Sequence, residues 1–368
     1  PVDLRVKNHA DEDPDEKKPW SSKSLKECYR VAAERFGWSR RTRTPRSMRD
    51  GRFLVGWGMA TATYPARQST ASALARMSAD GTATLLAGSQ DIGTGTYTIM
   101  TQIAADALAM PMDKVRFDLG DTAYPETPVS GGSMTASSTG SATFRAATAL
   151  RDKLVELAIA DGASPLHGLR KEDVEADSGK LVSKRDHSKS DDYGAIVKRS
   201  GQNEIQVDVH EDQAPDRKKY SCHSFGAHFV EVRVDEATSE VRVARVVSAF
   251  AAGRILNAKT ARSQFYGGIT WGIGLALLEH TVRDPRTGRV VTRDLSEYHV
   301  PVNLDVPAVD VLLVDEHDAH VNPIGAKGIG EIGIVGMGGA IANAVHHATG
   351  VRVRDLPITL DKIMGGRT

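Results

Sequence analysis

A glutamate inside a glycine-rich loop is the first residue of this chain whose type and setting could do chemistry. In KGIGEIG, residues 327–333, Glu331 lies within a G-x-G-x-x-G pattern. The backbone of that pattern approaches a pyrophosphate in dinucleotide-binding proteins, but a carboxylate there would repel the anion. Two interpretations remain. The loop either holds the carboxylate for proton transfer, or it is a helix-entry turn in which Glu331 is an ordinary first-turn acid.

Two further loops, rich in Gly, Ser and Thr, could bind an anionic or polyoxygenated ligand. They are GSQDIGTGTYT (88–98) and GGSMTASSTGSA (131–142), and a helix is predicted to follow each of them. Backbone N–H groups and hydroxyls at a helix N-terminus suit phosphate, although Ser and Thr also serve simply as N-caps. Together with Gln264 in a glycine-rich helix and the 325–333 loop, these segments predict one extended ligand that several helix N-termini bind.

Composition argues against several classes of function. Lys and Arg number 47 and Asp and Glu number 47, so net charge does not favour nucleic acid or an anionic membrane as a partner. No apolar run approaches the length of a membrane span, and the charged segment 1–20 lacks the apolar core of a signal peptide. Cys28 and Cys222 cannot by themselves hold an iron–sulfur cluster, so such a centre would have to come from another chain. Without an initial Met, the chain is expected to begin inside a longer gene product.

The elements that must position these residues are mixed helices and strands. Apolar and polar residues alternate on both sides of Asp80-Gly81 and of the turn at 235–239, which is typical of β-hairpins. Helices are expected after each small-residue loop. This mixture predicts an α+β fold, with mixed sheets, hairpins and packed helices, rather than a doubly wound sheet.

The composition along the chain also predicts its domain organisation. Residues 1–50 are expected to be a linker with one docking helix, whose apolar face would bury Cys28 and its neighbours. Residues 51–368 are expected to form the ligand-binding region, with two α+β subdomains at about 51–165 and 220–368. The charged segment at about 163–220 is expected to be a surface excursion with one or two short elements.

Four motifs together resemble the molybdenum-binding subunit of the xanthine dehydrogenase/aldehyde oxidase family, in particular that of bacterial aldehyde oxidoreductases. In chain order they are GSQDIGTGTYTIMTQIAADAL, GGSMTASSTGSA, RSQFYGGITWGIGLALLEH and GAKGIGEIGIVGMGGAIANAVHHATGVRVRDLPIT. The agreement extends from about residue 50 to residue 364. Because the family's subunit is roughly twice as long, the chain resembles its C-terminal half, whether as a fragment, a processed half or a split subunit.

The resemblance implies a role for each candidate residue. Family members hydroxylate an aldehyde or an N-heterocycle with oxygen from water, and Glu331 would be the base at the molybdenum centre. Residues 51–368 would be the molybdopterin-binding region. No side chain of the chain would be a metal ligand, since a pterin dithiolene holds the molybdenum in the family. The implied cofactor-binding residues are Gln90, Gly93, Thr94, Gly95, Ser137, Ser138, Thr139, Gln264, Lys327 and Gly328.

The resemblance also implies cofactors and partners. The cofactor would be molybdopterin cytosine dinucleotide with molybdenum. The partners would be the N-terminal half of the subunit (in the same or a separate chain), an iron–sulfur subunit and an FAD subunit. The substrate and the compartment, cytoplasm or periplasm, stay open. The alternative is a non-catalytic cofactor-binding or assembly component, or an inactive fragment that lacks the other half of the site. The intact Glu331 favours the catalytic interpretation, because a pure binding module does not need a base.

Overall fold

The computed structural model describes residues 1–366, in which helices pack on three sheets. The helices are α1 (Val2–Lys7), α2 (Leu25–Phe36), α3 (Thr96–Leu108), α4 (Thr135–Ala160), α5 (Tyr193–Arg199), α6 (Ala258–Leu277), α7 (Met337–Thr349) and α8 (Leu360–Gly365). The strands are β1 (Arg49–Asp50), β2 (Phe53–Pro65), β3 (Ala71–Ser78), β4 (Ala83–Leu86), β5 (Val115–Asp118), β6 (Val174–Asp177), β7 (Lys180–Ser183), β8 (Ser190–Asp192), β9 (Glu204–Glu211), β10 (His223–Asp235), β11 (Val241–Ala251) and β12 (Ala308–Leu313). Antiparallel and parallel pairs occur together, which confirms the α+β prediction.

The first sheet has the order β1-β2-β10-β11-β12 and is covered by helices on both faces. Strand residues alternate between the faces, so Leu54 and Ala62 of β2 pack with α6 and α7. Val55 and Trp57, which face the other way, pack against α2. The predicted hairpin is present, because β10 and β11 pair antiparallel across the turn. Cys28 of α2 is buried against this sheet, as the apolar face predicts.

The second sheet, β5-β4-β3-β9, carries α3 and α4 on one face. The predicted hairpin around Asp80-Gly81 is confirmed, since β3 and β4 pair antiparallel. Alternate residues of β3, among them Ala73 and Met77, are buried below the two helices. The N-terminal ends of α3 and α4 are thereby held on one side of the molecule.

The segment at 163–220 contains more regular structure than the sequence indicates. It forms the three-stranded sheet β6-β7-β8, helix α5, and β9, which pairs with β3 as an edge of the second sheet. Tyr193 is fully buried, and its hydroxyl donates to the carbonyl of Leu108 at 2.7 Å. The expectation of one or two short elements is wrong because strands of three or four residues leave too little periodicity to detect.

Glycines let α6 lie directly against the segment that leads into α7. A Cβ on Gly268 would lie 2.7 Å from the Cα of Gly333, closer than real Cβ atoms come. The glycine-rich composition of α6 is therefore explained by close packing. Within residues 1–366, no helix has both the length and the apolar character needed to cross a membrane.

Candidate active site

A cleft of about 240 Å³ lies where three glycine-rich loops meet α6. The starts of α3, α4 and α6 border it, which is the arrangement that the sequence predicts for an extended ligand. Its polar lining includes Thr94, Thr96, Ser130, Ser133, Thr135, Arg254, Asn257, Thr260, Gln264, Lys327 and Glu331. Its apolar lining includes Ile92, Ile99, Ile255, Leu256, Ile329 and Trp271. Of the predicted residues, Thr94, Gln264, Lys327, Gly328 and Glu331 line this cleft.

Glu331 borders the cleft well before the helix that follows it. Residues 331–336 form consecutive turns, in which Ile334 N–H donates to the Glu331 carbonyl at 3.2 Å. Helix α7 begins only at Met337. The interpretation of Glu331 as an acid in the first turn of a helix is therefore wrong. The carboxylate is held by contacts from elsewhere in the chain.

Ser133 makes those contacts. The Ser133 hydroxyl oxygen accepts the Glu331 main-chain N–H at 2.9 Å, and the same hydroxyl donates to Glu331 Oε2. Burial and the nearby Glu331 carboxylate both raise the pKa of Tyr64, so its phenol stays protonated. The Glu331 side chain thus borders the cleft with the Ser133 hydroxyl as its hydrogen-bond partner.

The glycines of the pattern make room for these contacts. A Cβ on Gly328 would lie 2.1 Å from the carbonyl oxygen of Ser133 and 2.7 Å from its Cβ. The loop and Ser133 can approach this closely only without a side chain at position 328. Together with the contact between Gly333 and α6, this explains the G-x-G-x-x-G pattern by close packing around a carboxylate.

His228 holds the far end of the same turn segment. Its Nε2–H donates to the Val335 carbonyl at 3.0 Å, and its Nδ1 accepts the Ser248 hydroxyl at 2.7 Å. The neutral imidazole with its proton on Nε2 satisfies both ring nitrogens. The ring is fully buried, and burial lowers the pKa of His228 to about 4.

Acid should therefore unfold the protein partly through His228. In the unfolded chain a His has a pKa of about 6.5, so the unfolded state takes up the proton first as pH falls. The free energy of unfolding should decrease between about pH 6.5 and about pH 4, by roughly 3 kcal/mol in total. Urea unfolding of wild type and His228→Gln at about pH 7 and about pH 4.5 measures this difference. Equal pH dependence in the two proteins would contradict the assignment.

Gln90, Gly93 and Gly95 form hydrogen bonds with other residues of the loops and do not line the cleft. Gln90 Oε1 accepts from the Ser130 hydroxyl at 2.7 Å and so ties the 88–98 loop to the 129–134 loop. The N–H groups of Gly93 and Gly95 donate to Asp91 Oδ1 at 2.9 and 3.2 Å. Although burial opposes it, these and neighbouring N–H groups hold the pKa of Asp91 below its ordinary value. The sequence analysis missed Asp91 as the anion that organises this loop.

Ser137, Ser138 and Thr139 lie inside α4, not in a loop. The expected loop ends at Met134, because α4 begins at Thr135. Ser137 Oγ donates to the carbonyl of Arg67 at 2.5 Å, and Ser138 Oγ accepts from Ser69 N–H at 2.9 Å. All three serine and threonine side chains are buried, so the start of α4 itself, at Thr135 and Ala136, borders the cleft.

The ammonium of Lys327 lies in a buried ion cluster, which we define as Lys327, Glu316 and Asp318. Lys327 Nζ lies 3.0 Å from Glu316 Oε2 and 3.2 Å from Asp318 Oδ2, and the three side chains are at most 2% exposed. Ser22 Oγ accepts from the same ammonium at 2.6 Å, and Ser21 Oγ donates to Asp318 at 2.6 Å. The side chain of Lys327 therefore binds carboxylates of the chain rather than a ligand in the cleft.

The donor set of the cleft fits a phosphate-bearing cofactor that also has polar ring atoms. Its lining is rich in neutral hydroxyls and amides, and Arg254 adds a cation that is also paired with Asp106 at 2.9 Å.

Comparison with known proteins defines the class. A family model for the molybdopterin cofactor-binding domain matches residues 31–307. The chain therefore belongs to the molybdopterin cofactor-binding domain family, and the resemblance in the sequence motifs is confirmed. The matched segment ends before Glu331, so the role of this residue stays a prediction.

Particular relatives extend the likeness to the whole chain. The chain is 39% identical over 365 residues, 99% of its length, to the aldehyde oxidoreductase molybdenum-binding subunit PaoC of Escherichia coli strain K12. It is 30% identical over 380 residues, 98% of its length, to the putative xanthine dehydrogenase molybdenum-binding subunit XdhA of the same strain. Both alignments cover 48% of the relative, so the chain spans about half the length of the curated relatives it matches.

A solved structure shares the fold. The quinoline 2-oxidoreductase of Pseudomonas putida superimposes with a TM-score of 0.83 at 22% identity. The match covers 94% of this chain and 46% of the other. The arrangement of the helices and sheets that bring the three loops together is thus shared by a protein of low sequence identity.

Proposed function

We propose that the chain is the half of a molybdenum hydroxylase subunit that carries the catalytic base, and that the enzyme oxidises an aldehyde to a carboxylate. The observation that carries the proposal is Glu331. It is the acidic side chain among the residues lining the cleft, whose other polar groups are mostly neutral, and Ser133 holds it there. A carboxylate beside a cofactor site is suited to accepting a proton from a positioned substrate group.

The cofactor would be molybdopterin cytosine dinucleotide with molybdenum. Thr94 and Gln264 line the cleft and would hydrogen-bond to it, while the N-terminal ends of α3 and α4 would face its phosphates. Gln90 and Asp91 would keep the first loop in shape. When bound, the cofactor would supply an electrophilic metal and a sink for two electrons.

The side chains of the chain would bind the substrate and accept a proton. Trp271 and Ile329 belong to the apolar part of the lining, which would receive the apolar body of the substrate and exclude water. Glu331 would accept the proton from the attacking group. The higher identity to an aldehyde oxidoreductase subunit, 39% against 30% for the xanthine dehydrogenase relative, supports an aldehyde over an N-heterocycle.

Composition of the native complex tests the cofactor and the partners together. We expect molybdenum, CMP after acid hydrolysis, and co-purifying chains that carry iron–sulfur clusters and FAD. The reason is that Cys28 and Cys222 are both buried and cannot by themselves form a cluster, so the electrons would leave through clusters outside residues 1–368. Metal analysis, nucleotide chromatography and the masses of the purified chains measure these components.

Each possible result decides a different part of the proposal. Molybdenum without CMP would exclude the dinucleotide form. A complex that turns over substrate and reduces an acceptor without iron or flavin would exclude the predicted partners. The rival function is a non-catalytic cofactor-binding or assembly component. A native complex that contains molybdenum but turns over no aldehyde would support that rival.

A further inference from the structure

We propose that Ser133 is a positioning residue that orients the Glu331 carboxylate, an inference that rests on the proposed function of Glu331. The Ser133 hydroxyl forms two hydrogen bonds with Glu331. It accepts the Glu331 main-chain N–H at 2.9 Å and donates to Glu331 Oε2. A free Glu side chain samples many rotamers. The hydrogen bond from Ser133 to the carboxylate restricts the side chain to few of them.

The backbone of Ser133 indicates that its side chain is needed. Its φ is +56°, in the left-handed region, and it follows Gly132, whose φ is +61°. Glycine adopts this conformation more easily than serine does. A serine at a position where glycine would be less strained is explained if the hydroxyl performs a task.

Ser133 and the Glu331 loop also fit each other sterically. A Cβ on Gly330 would lie 3.2 Å from Ser133 Oγ, while one on Gly328 would collide with the Ser133 main chain at 2.1 Å. The glycines at 328 and 330 thus let the loop close around Ser133. The loop that carries Ser133 is itself tied down, because Gln90 Oε1 accepts the Ser130 hydroxyl at 2.7 Å. The loop that carries the hydroxyl is therefore packed against the Glu331 loop and hydrogen-bonded to the 88–98 loop.

Ser133→Gly separates positioning from folding. Glycine suits the left-handed backbone, so the Tm and the molybdenum content of the assembled complex should stay at or above wild type. Without the hydroxyl, the carboxylate loses its main orienting contact, and kcat should fall by about 10–100-fold with KM nearly unchanged. Glu331 stays in the lining of the cleft and can still accept a proton, so activity should not disappear.

Ser178→Gly is the matched control. Ser178 also has a left-handed backbone, with φ of +51°, but it is exposed in the turn between β6 and β7, outside the cleft. The same substitution there should leave both kcat and molybdenum content unchanged. If kcat falls in Ser133→Gly but not in Ser178→Gly, the loss of the Ser133 hydroxyl is the cause, and the introduction of a glycine is not.

The Glu331→Gln background tells whether Ser133 acts through Glu331. If it does, adding Ser133→Gly to Glu331→Gln should change kcat by less than about 2-fold. Wild-type kcat in Ser133→Gly would overturn the proposal. So would an equal loss of kcat in both backgrounds, or a loss of molybdenum from the Ser133→Gly complex. The turnover of Glu331→Gln by itself judges the proposed function, so the two failures are distinguishable.

Discussion

Glu331→Gln should lower kcat of the assembled complex by about 10²–10⁴-fold, while the protein folds and binds molybdenum as wild type does. Glutamine keeps the size of the side chain and can still hydrogen-bond to Ser133, but it cannot accept the proton. The loop should keep its shape, because its close packing comes from Gly328 and Gly333 rather than from the carboxylate. The measurement is steady-state turnover alongside molybdenum content.

Glu175→Gln provides the control for this substitution. Glu175 is an exposed acid on β6, outside the cleft, and its replacement should leave kcat within experimental error. Near-normal turnover of Glu331→Gln at full molybdenum loading would remove Glu331 from the mechanism. It would then favour the non-catalytic interpretation of the chain.

Lys327→Met should lower the free energy of unfolding by about 3–5 kcal/mol. The substitution leaves Glu316 and Asp318 buried without their cation, at positions where water cannot replace it. Burial alone would raise the pKa of Asp318, but the Ser21 hydroxyl and the Lys327 charge outweigh it and hold that pKa below its ordinary value. Urea unfolding of the purified protein measures the loss.

Two further variants make the Lys327 result decisive. Lys259→Met removes an exposed lysine next to the cleft and should change stability by no more than about 0.5 kcal/mol. If Lys327→Met does not fold well enough to measure, adding Glu316→Gln and Asp318→Asn should restore much of the loss, because no unpaired charge then stays buried. A loss below about 1 kcal/mol in Lys327→Met would show that the cluster contributes little.

Local patterns in the sequence were sufficient for much of the fold. The turns at Asp80-Gly81 and at 235–239 predict their hairpins because turn chemistry and strand alternation act over neighbouring residues. The buried face of α2 follows from helical periodicity in the same way. The start of α4 was placed too late because its first turns consist of Ser, Thr and Gly, which are typical of loops.

The parts of the site that sequence could not supply depend on contacts between distant residues. Ser133 and Glu331 are separated by 198 positions, and nothing local indicates that a serine adopts a left-handed backbone. The ion cluster likewise joins Lys327 to Ser22 across 305 positions. Lys327 was expected at the cofactor because of the resemblance to the family, while the burial of its two acids depends on the whole fold. Gln264 and Thr94, which line the cleft, were predicted because the sequence motifs resemble those of the family.

The central claim is that the cleft holds the molybdenum centre with Glu331 beside it. Anomalous diffraction at the molybdenum absorption edge, from crystals of the native complex, tests this most directly. We expect one strong peak per subunit inside the cleft, facing the carboxylate of Glu331 and near Gln264. A peak outside this cleft, or one from which Glu331 is separated by other side chains, would contradict the account.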